Sequence, residues 1–186
     1  MSIRLADILT LPITTTIRRE AERVTRLKGN YIHDTFEIRT LPERIRRSYE
    51  GDMAKLAIIG WLEDNGKEVL DWDTARNGDW TTSNKPYDIL VSDKNIEIRS
   101  SKEIGKSLGF ILRNRNIIQP TYANILDVTI QAYWNDEEYE NVHVFAWNNR
   151  DDFLNAPVRN IRGQTFHMMP FTANEAQPMN DLLNYL

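Results

Sequence analysis

At 186 residues the chain suits a single domain with its own core, and 41% hydrophobic with 27% charged residues is ordinary for a globular protein. The absence of cysteine excludes disulfides and thiolate metal sites. Three histidines (His33, His143, His167), none at a short ligand spacing, argue against zinc, so any metal is expected to be a hard cation held by carboxylates and carbonyls.

The net charge of −4 does not advertise a polyanion binder, but the distribution is uneven. Residues 1–50 hold ten Lys/Arg against seven Asp/Glu, and the remainder holds thirteen against twenty. Arg18, Arg19, Arg23, Arg26 and Lys28 form one basic cluster, and Arg44, Arg46 and Arg47 a second. Each is either a solvated helix face or a set of phosphate contacts. The N-terminus lacks a basic segment followed by an apolar one, and the longest apolar run, Leu56 to Leu62, is far too short to cross a bilayer. A soluble, cytoplasmic protein is the expectation.

In chain order, residues 16–28 carry Ile17, Val24 and Leu27 in partial helical register. Pro42 and Glu43 open a second helical stretch that continues through 51–65, with Met53, Leu56, Ala57, Gly60 and Trp61 on one stripe and Asn65-Gly66 as its stop. Glu68 to Thr74 alternates as a short strand, and 76–86 is rich in turn residues. Tyr87 to Val91 and Ile96 to Ser101 are strands joined by Ser92-Asp93-Lys94-Asn95. Residues 102–119 lean towards loop with some helix. Leu126 to Trp134 and Val142 to Trp147 are strands around an acidic turn, Asp151-Asp152 starts a short helix, and the last thirty-odd residues give no clear pattern. Helix first, then a run of strands, predicts an α/β or α+β class. The expected organisation is one domain: a partly basic helical extension over 1–49, a core over 50–150, and a C-terminal segment over 151–186.

The hairpin 87–101 carries the chemistry. A four-residue turn centred on Asp93-Lys94 pairs Val91 with Ile96, Ile89 with Ile98, Leu90 with Glu97 and Asp88 with Arg99. Ile89, Val91, Ile96 and Ile98 then share an apolar face, and Asp88, Leu90, Glu97 and Arg99 the other. On that second face Asp88 and Glu97 are diagonal neighbours, about 7–8 Å apart at the backbone, able to converge on one divalent ion. The plainer alternatives are an exposed polar face with Arg99 pairing Asp88 across the strands, and Asp88 capping the turn over Asn84–Pro86.

Pro86-Tyr87-Asp88 followed by Glu97-Ile98-Arg99 resembles the PD…(D/E)xK signature of the restriction-endonuclease-like superfamily. Gly51-Asp52-Met53-Ala54 resembles that family's acid-donating helix motif, and the strands near 68–74, 87–91, 96–101 and 126–134 follow in the family's order. The resemblance spans roughly residues 50–150. It implies a central mixed β-sheet flanked by helices and a Mg²⁺-dependent DNA endonuclease, with Mn²⁺ as a substitute. Asp88, Glu97 and the Ile98 carbonyl would hold one ion, and Asp52 or Glu50 a second ion or a water. The sequence departs from the family twice. Arg99 stands in the usual lysine position, where it can stabilise phosphate charge but cannot accept a proton. The helix glutamate is replaced by Asp52 or, two residues earlier, Glu50. Lys102 is the second choice for the lysine role, although it falls on the core-facing side of its strand unless Ser100-Ser101 bends.

Phosphate or base contacts are expected from Arg18, Arg19, Arg46 and Arg47, and from Arg113 and Arg115 in the segment after the site. Trp134, Trp147, Tyr122 and Tyr133 are read first as core and second as base-stacking groups. Asp71-Trp72-Asp73 mimics a sugar-transferase motif but lacks a nucleotide-binding unit before it, and no phosphate-cradling or nucleophile-elbow motif occurs. The expected function is a type II restriction endonuclease acting as a homodimer on double-stranded DNA. The alternatives are a homing, repair or junction-resolving nuclease, and a nuclease-fold protein that has lost catalysis and acts as a DNA-binding or regulatory module.

Overall fold

The computed structural model of the chain describes residues 2–28, 40–76, 87–121, 126–161 and 163–186. Its architecture is mixed α/β, with a six-stranded mixed sheet flanked by helices and a second sheet of three strands. The turn-rich segment around Asn77-Gly78 and Asn84–Pro86, and Tyr122, lie outside the described residues.

Helix α1 (Thr15–Lys28) packs on α2 (Leu41–Asp64), and α2 packs on the large sheet. Thr40 opens α2 with a capping box, its backbone N–H donating to Glu43 Oε2 at 2.9 Å while Pro42 occupies the first turn. Gly66 closes it in the left-handed region (φ 77°), with Lys67 N–H reaching Leu62 O at 3.0 Å and Gly66 N–H reaching Glu63 O at 2.9 Å. The helix buries more than the expected stripe. Met53 and Ala57 are buried, but so are Ala54, Ile58, Ile59 and Leu62, while Leu56, Gly60 and Trp61 keep partial exposure. The physical reason is that α2 is covered twice, by the sheet on one side and by α1 on another.

The large sheet runs β1 (Leu9–Pro12), β7 (Asn141–Asn149), β6 (Val128–Trp134), β4 (Lys94–Lys102), β3 (Ile89–Val91), β2 (Val69–Asp71). Strands β4 and β6 are parallel and the remaining neighbours antiparallel. The strand expected over 68–74 is confined to Val69–Asp71, because Asp71 accepts from Asp73 N–H and caps a short helix, α3 (Trp72–Ala75). Strand β1, not foreseen, takes an edge position, where Pro12 costs no ladder bond.

Within 102–119 the chain forms α4 (Leu108–Asn114), with Ser107 as its cap, and then enters β5 (Asn116–Pro120). Helix α5 (Arg150–Leu154) starts at the expected Asp151-Asp152. The C-terminal segment supplies β8 (Val158–Ile161), β9 (Gln164–Pro170) and α6 (Met179–Tyr185), and β5-β9-β8 form the small sheet. The large sheet therefore has apolar cover on both faces. Val128, Ile130, Ala132 and Trp134 of β6 join α2 in one core, while Tyr133 joins Phe145, Phe153, Phe171 and Ile117 in the other.

Candidate active site

Strand β3 pairs with β4 as Ile89 with Ile96, Leu90 with Asn95 and Val91 with Lys94. This corrects the expected register by two residues, because the turn is only Ser92-Asp93, with Ser92 in the left-handed region (φ 54°). A two-residue shift leaves every side chain on its own face. Ile89, Val91 and Ile96 accordingly lie fully buried against α2, with Ile98 partly buried beside them. Glu97 and Arg99 occupy the opposite face. Asp88 lies one residue beyond the last paired position and is bulged against Ile96, not opposite Arg99: its N–H donates to Ile96 O at 3.0 Å. Asp88 is thus held at the main chain of Ile96 and Ile98, on either side of Glu97.

Strand pairing ends at Ile89, so the Ile98 N–H has no main-chain partner on this side, and Asp88 Oδ2 accepts it at 2.7 Å. The carbonyl of a strand residue points the same way as its N–H, so Ile98 also offers its oxygen to this edge. Burial pushes the Asp88 carboxyl above the ordinary aspartate range, against the Ile98 N–H that favours its ionised form. Burial, and then the neighbouring Asp88 charge, push Glu97 up to about 8, with Arg99 opposing them. Arg99 does not bridge to Asp88. Its terminal nitrogen lies 3.4 Å from Glu97 Oε1, and its Nε donates to Gln119 Oε1 of β5 at 2.8 Å.

The other candidate residues stand apart from this pair. Lys102 is on the α2 side of β4, where strand parity puts it, since β4 continues unbroken through Ser100-Ser101. There it meets Glu50 at 2.5 Å and lies 4.7 Å over the Tyr139 ring, while the Tyr139 hydroxyl donates to Glu50 at 2.8 Å. Glu50 is thus a buried acid neutralised by Lys102, with Arg46 at 3.8 Å and Arg47 at 4.0 Å as exposed outer partners. Asp52 is buried under α1, accepting from Thr25 at 2.7 Å and pairing with Lys28 at 2.5 Å. Burial nonetheless pushes its carboxyl up. Among the described residues, no three Asp, Glu or His side chains converge on a common point.

Of the candidate cations, Arg18 donates to the Glu138 and Tyr139 carbonyls and ties α1 to the β6–β7 turn. Arg115 forms a two-pronged pair with Glu103, while Arg113 is exposed on α4. Arg19 lines a shallow groove on α1 with Glu22, Arg23, Arg26 and Leu27. Trp134, Trp147 and Tyr133 are core side chains.

A charged network absent from the expectations lies between α2 and β2–α3. Lys55 Nζ donates to Asp71 Oδ1 at 2.7 Å and Asp73 Oδ2 at 2.5 Å, and Lys28 joins Asp73 (3.2 Å) to Asp52. Burial works against the charge on Lys55, yet Asp73 and Asp71 hold its pKa above the ordinary lysine value. Burial likewise opposes ionisation of Asp73, but Lys28 and Lys55 pull its carboxyl below the usual range. Lys28 and Lys55 also act on Asp88 through space, and Trp72 N–H holds the Asp88 carbonyl at 3.1 Å. Asp71-Trp72-Asp73 is therefore part of the wall around Asp88. Its sequence signal, two aspartates at a strand end beside a helix lysine, was visible but ambiguous.

The chain has no significant match among protein-family models, curated proteins or solved structures.

Proposed function

We propose that the chain is a metal-dependent DNA endonuclease of the restriction-endonuclease-like type, with Asp88 and Glu97 as its metal-holding acids. The observation that carries this is the part-buried pair of acids at one edge of the hairpin: Asp88 accepts the Ile98 N–H beside Glu97, and burial and the Asp88 charge hold Glu97 up to about 8. Two like charges enclosed together are costly, and a divalent cation is what relieves them. The donor set fits a hard divalent ion, with two carboxylates and the Ile98 carbonyl on one strand edge. The order of elements supports the same assignment: helix α2, the antiparallel strands β2, β3 and β4, helix α4, and then β6 parallel to β4.

Mg²⁺ or Mn²⁺ at Asp88, Glu97 and Ile98 O would supply charge neutralisation and an activated water for in-line attack on a phosphodiester. The chain's own groups do the rest. Glu97 gives up its proton when a cation is bound. Arg99, held by Glu97 and Gln119, stays charged and presents its guanidinium to a phosphate oxygen. It does not act as a base. Asp52 and Glu50 have lysine partners of their own, so the ion rests on Asp88 and Glu97. Cutting both strands of a palindromic site calls for a two-fold symmetric homodimer, with exposed Arg46, Arg47 and Arg113 available for phosphates.

The test is incubation of the purified chain with mixed-sequence plasmid and phage DNA in Mg²⁺, Mn²⁺ or EDTA. Discrete, metal-dependent fragments that vanish in Asp88→Asn and Glu97→Gln are expected. Full activity in either variant refutes the site. A second function, DNA binding without turnover, is favoured by one observation: Arg99 replaces a proton-accepting lysine and is already engaged by Glu97 and Gln119. Duplex binding without cleavage in any metal would select it.

A further inference from the structure

Strand β8 is an edge of the small sheet, yet it buries neither face: all four of its residues, Val158 to Ile161, are exposed. Thr165, opposite Asn160 on β9, is exposed too. An antiparallel strand ordinarily packs one face on a core, so this end of the β8–β9 ribbon is a surface in its own right. It is also a built one. Asn160 Oδ1 accepts the Gly163 N–H at 3.0 Å, Gly163 takes the left-handed region (φ 84°), and the Thr121 and Thr165 hydroxyls bond at 2.5 Å.

Pairing of Arg159 with Phe166 and of Ile161 with Gln164 puts Arg159, Ile161 and Gln164 on one face. Arg159 has no ion-pair partner among the described residues. No Asp or Glu occurs from Asn155 to Asn174, in a chain that has 27 of them and a net charge of −4. A surface so cleared of acid does not repel a polyanion. Its place in the fold matters as much. Gln119 of β5, which holds Arg99, lies opposite His167, and His167 lies opposite Val158. Two strand spacings are about 10 Å, the length of about three base-pair steps. One duplex therefore has room to meet Arg99 with a phosphate and the ribbon with a groove.

We propose that the β8–β9 ribbon enters the major groove of duplex DNA and reads base edges through Arg159 and Gln164, with Ile161 against a thymine methyl. This rests on DNA being the substrate of the Asp88–Glu97 site. The major groove, about 12 Å wide, admits a two-stranded ribbon. A guanidinium suits guanine N7 and O6, a glutamine amide suits adenine N6 and N7, and an apolar side chain suits the thymine methyl. The open β8 edge also invites a second copy of the chain. That copy would bring the same acid-free stretch, and so a second Arg159 with nothing to neutralise either.

The experiment is capture of mixed-sequence plasmid and phage fragments, partially methylated at guanine N7, by the full chain in EDTA, with sequencing of what is retained. Wild type, Arg159→Ala and Gln164→Ala are compared, and each is repeated in Mg²⁺ in the Asp88→Asn background. Wild type should retain a subset of sequences and reject fragments methylated within it. Arg159→Ala should weaken that subset about tenfold and abolish the methylation effect, and Gln164→Ala should relax the preference at adenine. Neither should change Tm, since both side chains lie at the surface. Wild-type affinity and preference in both variants, or binding indifferent to N7 methylation, overturns the ribbon and leaves the nuclease function standing. Loss of self-association in sedimentation with DNA binding kept also overturns it, and gives the ribbon to a second copy. Ribbon-dependent binding without cleavage in any metal supports the ribbon and removes the nuclease. A wild type that binds no duplex overturns both.

Discussion

Replacing Glu97 by glutamine removes a charge that burial and the neighbouring Asp88 both disfavour, while keeping its shape. In the folded chain Glu97 holds its proton up to about 8, against an ordinary glutamate value of 4.5. Between those two values the native state binds more protons than the unfolded state, so stability falls as pH rises from 4.5 through 8. Below 4.5 both states are protonated and nothing is lost. At about 1.4 kcal/mol per pH unit the full span corresponds to about 5 kcal/mol. The Glu97 side chain keeps 23% of its surface, and part of the effect is shared with Asp88, so about 2–3 kcal/mol is the expected contribution. Urea unfolding in EDTA across pH 5 to 9 measures it. Glu97→Gln should match or slightly trail wild type at pH 5 and exceed it by about 2–3 kcal/mol at pH 9. In millimolar Mg²⁺ the wild-type decline should flatten, while the glutamine variant gains nothing. Parallel pH profiles for the two proteins, with and without Mg²⁺, would refute the assignment of Glu97 as a part-buried acid coupled to Asp88.

Other consequences of the structure are as direct. Lys55→Met leaves Asp71 and Asp73 without their closest shared cation, so unfolding free energy should drop by about 3–5 kcal/mol; a loss under about 1 kcal/mol in urea titration would show that the network is solvated. Lys102→Met strips buried Glu50 of its 2.5 Å partner on the α2 side of the sheet. It should lower stability by about 2–4 kcal/mol while cleavage per folded molecule is retained, and the opposite result would move Lys102 into the site. His143 is buried between Thr10 and Asn135, and burial lowers its pKa below 6.5. The unfolded chain therefore takes up the proton first, and stability present above pH 6.5 declines as pH falls below it. His143→Gln should flatten that decline in a pH-resolved urea series; an unchanged slope would show that another group is responsible.

The sequence by itself determined α1, α2, the hairpin strands with their faces, and the strands β6 and β7, but not β1, β5 or the C-terminal elements. Alternation along Ile89–Val91 and Ile96–Arg99 separates apolar from acidic positions whatever the register, because a two-residue slip preserves parity. The same parity places Lys102 on the core side, where the structure has it. The limits of α2 were legible as well, since Thr40 to Glu43 and Asn65-Gly66 encode their hydrogen bonds within a few residues.

Tertiary structure alone decided the rest. The turn length that sets the hairpin register, and with it brings Asp88 to the main chain of Ile96 and Ile98, depends on a left-handed Ser92, which pattern does not encode. Which cation meets which acid is a matter of elements far apart in sequence: Lys28 with Asp52, Lys55 with Asp73, Lys102 with Glu50. Charges pair with whatever the packing brings within a few ångström, and composition fixes only how many there are. The helix acids are drawn into lysine pairs by how α1, α2 and β4 pack against one another, which no local signal specifies.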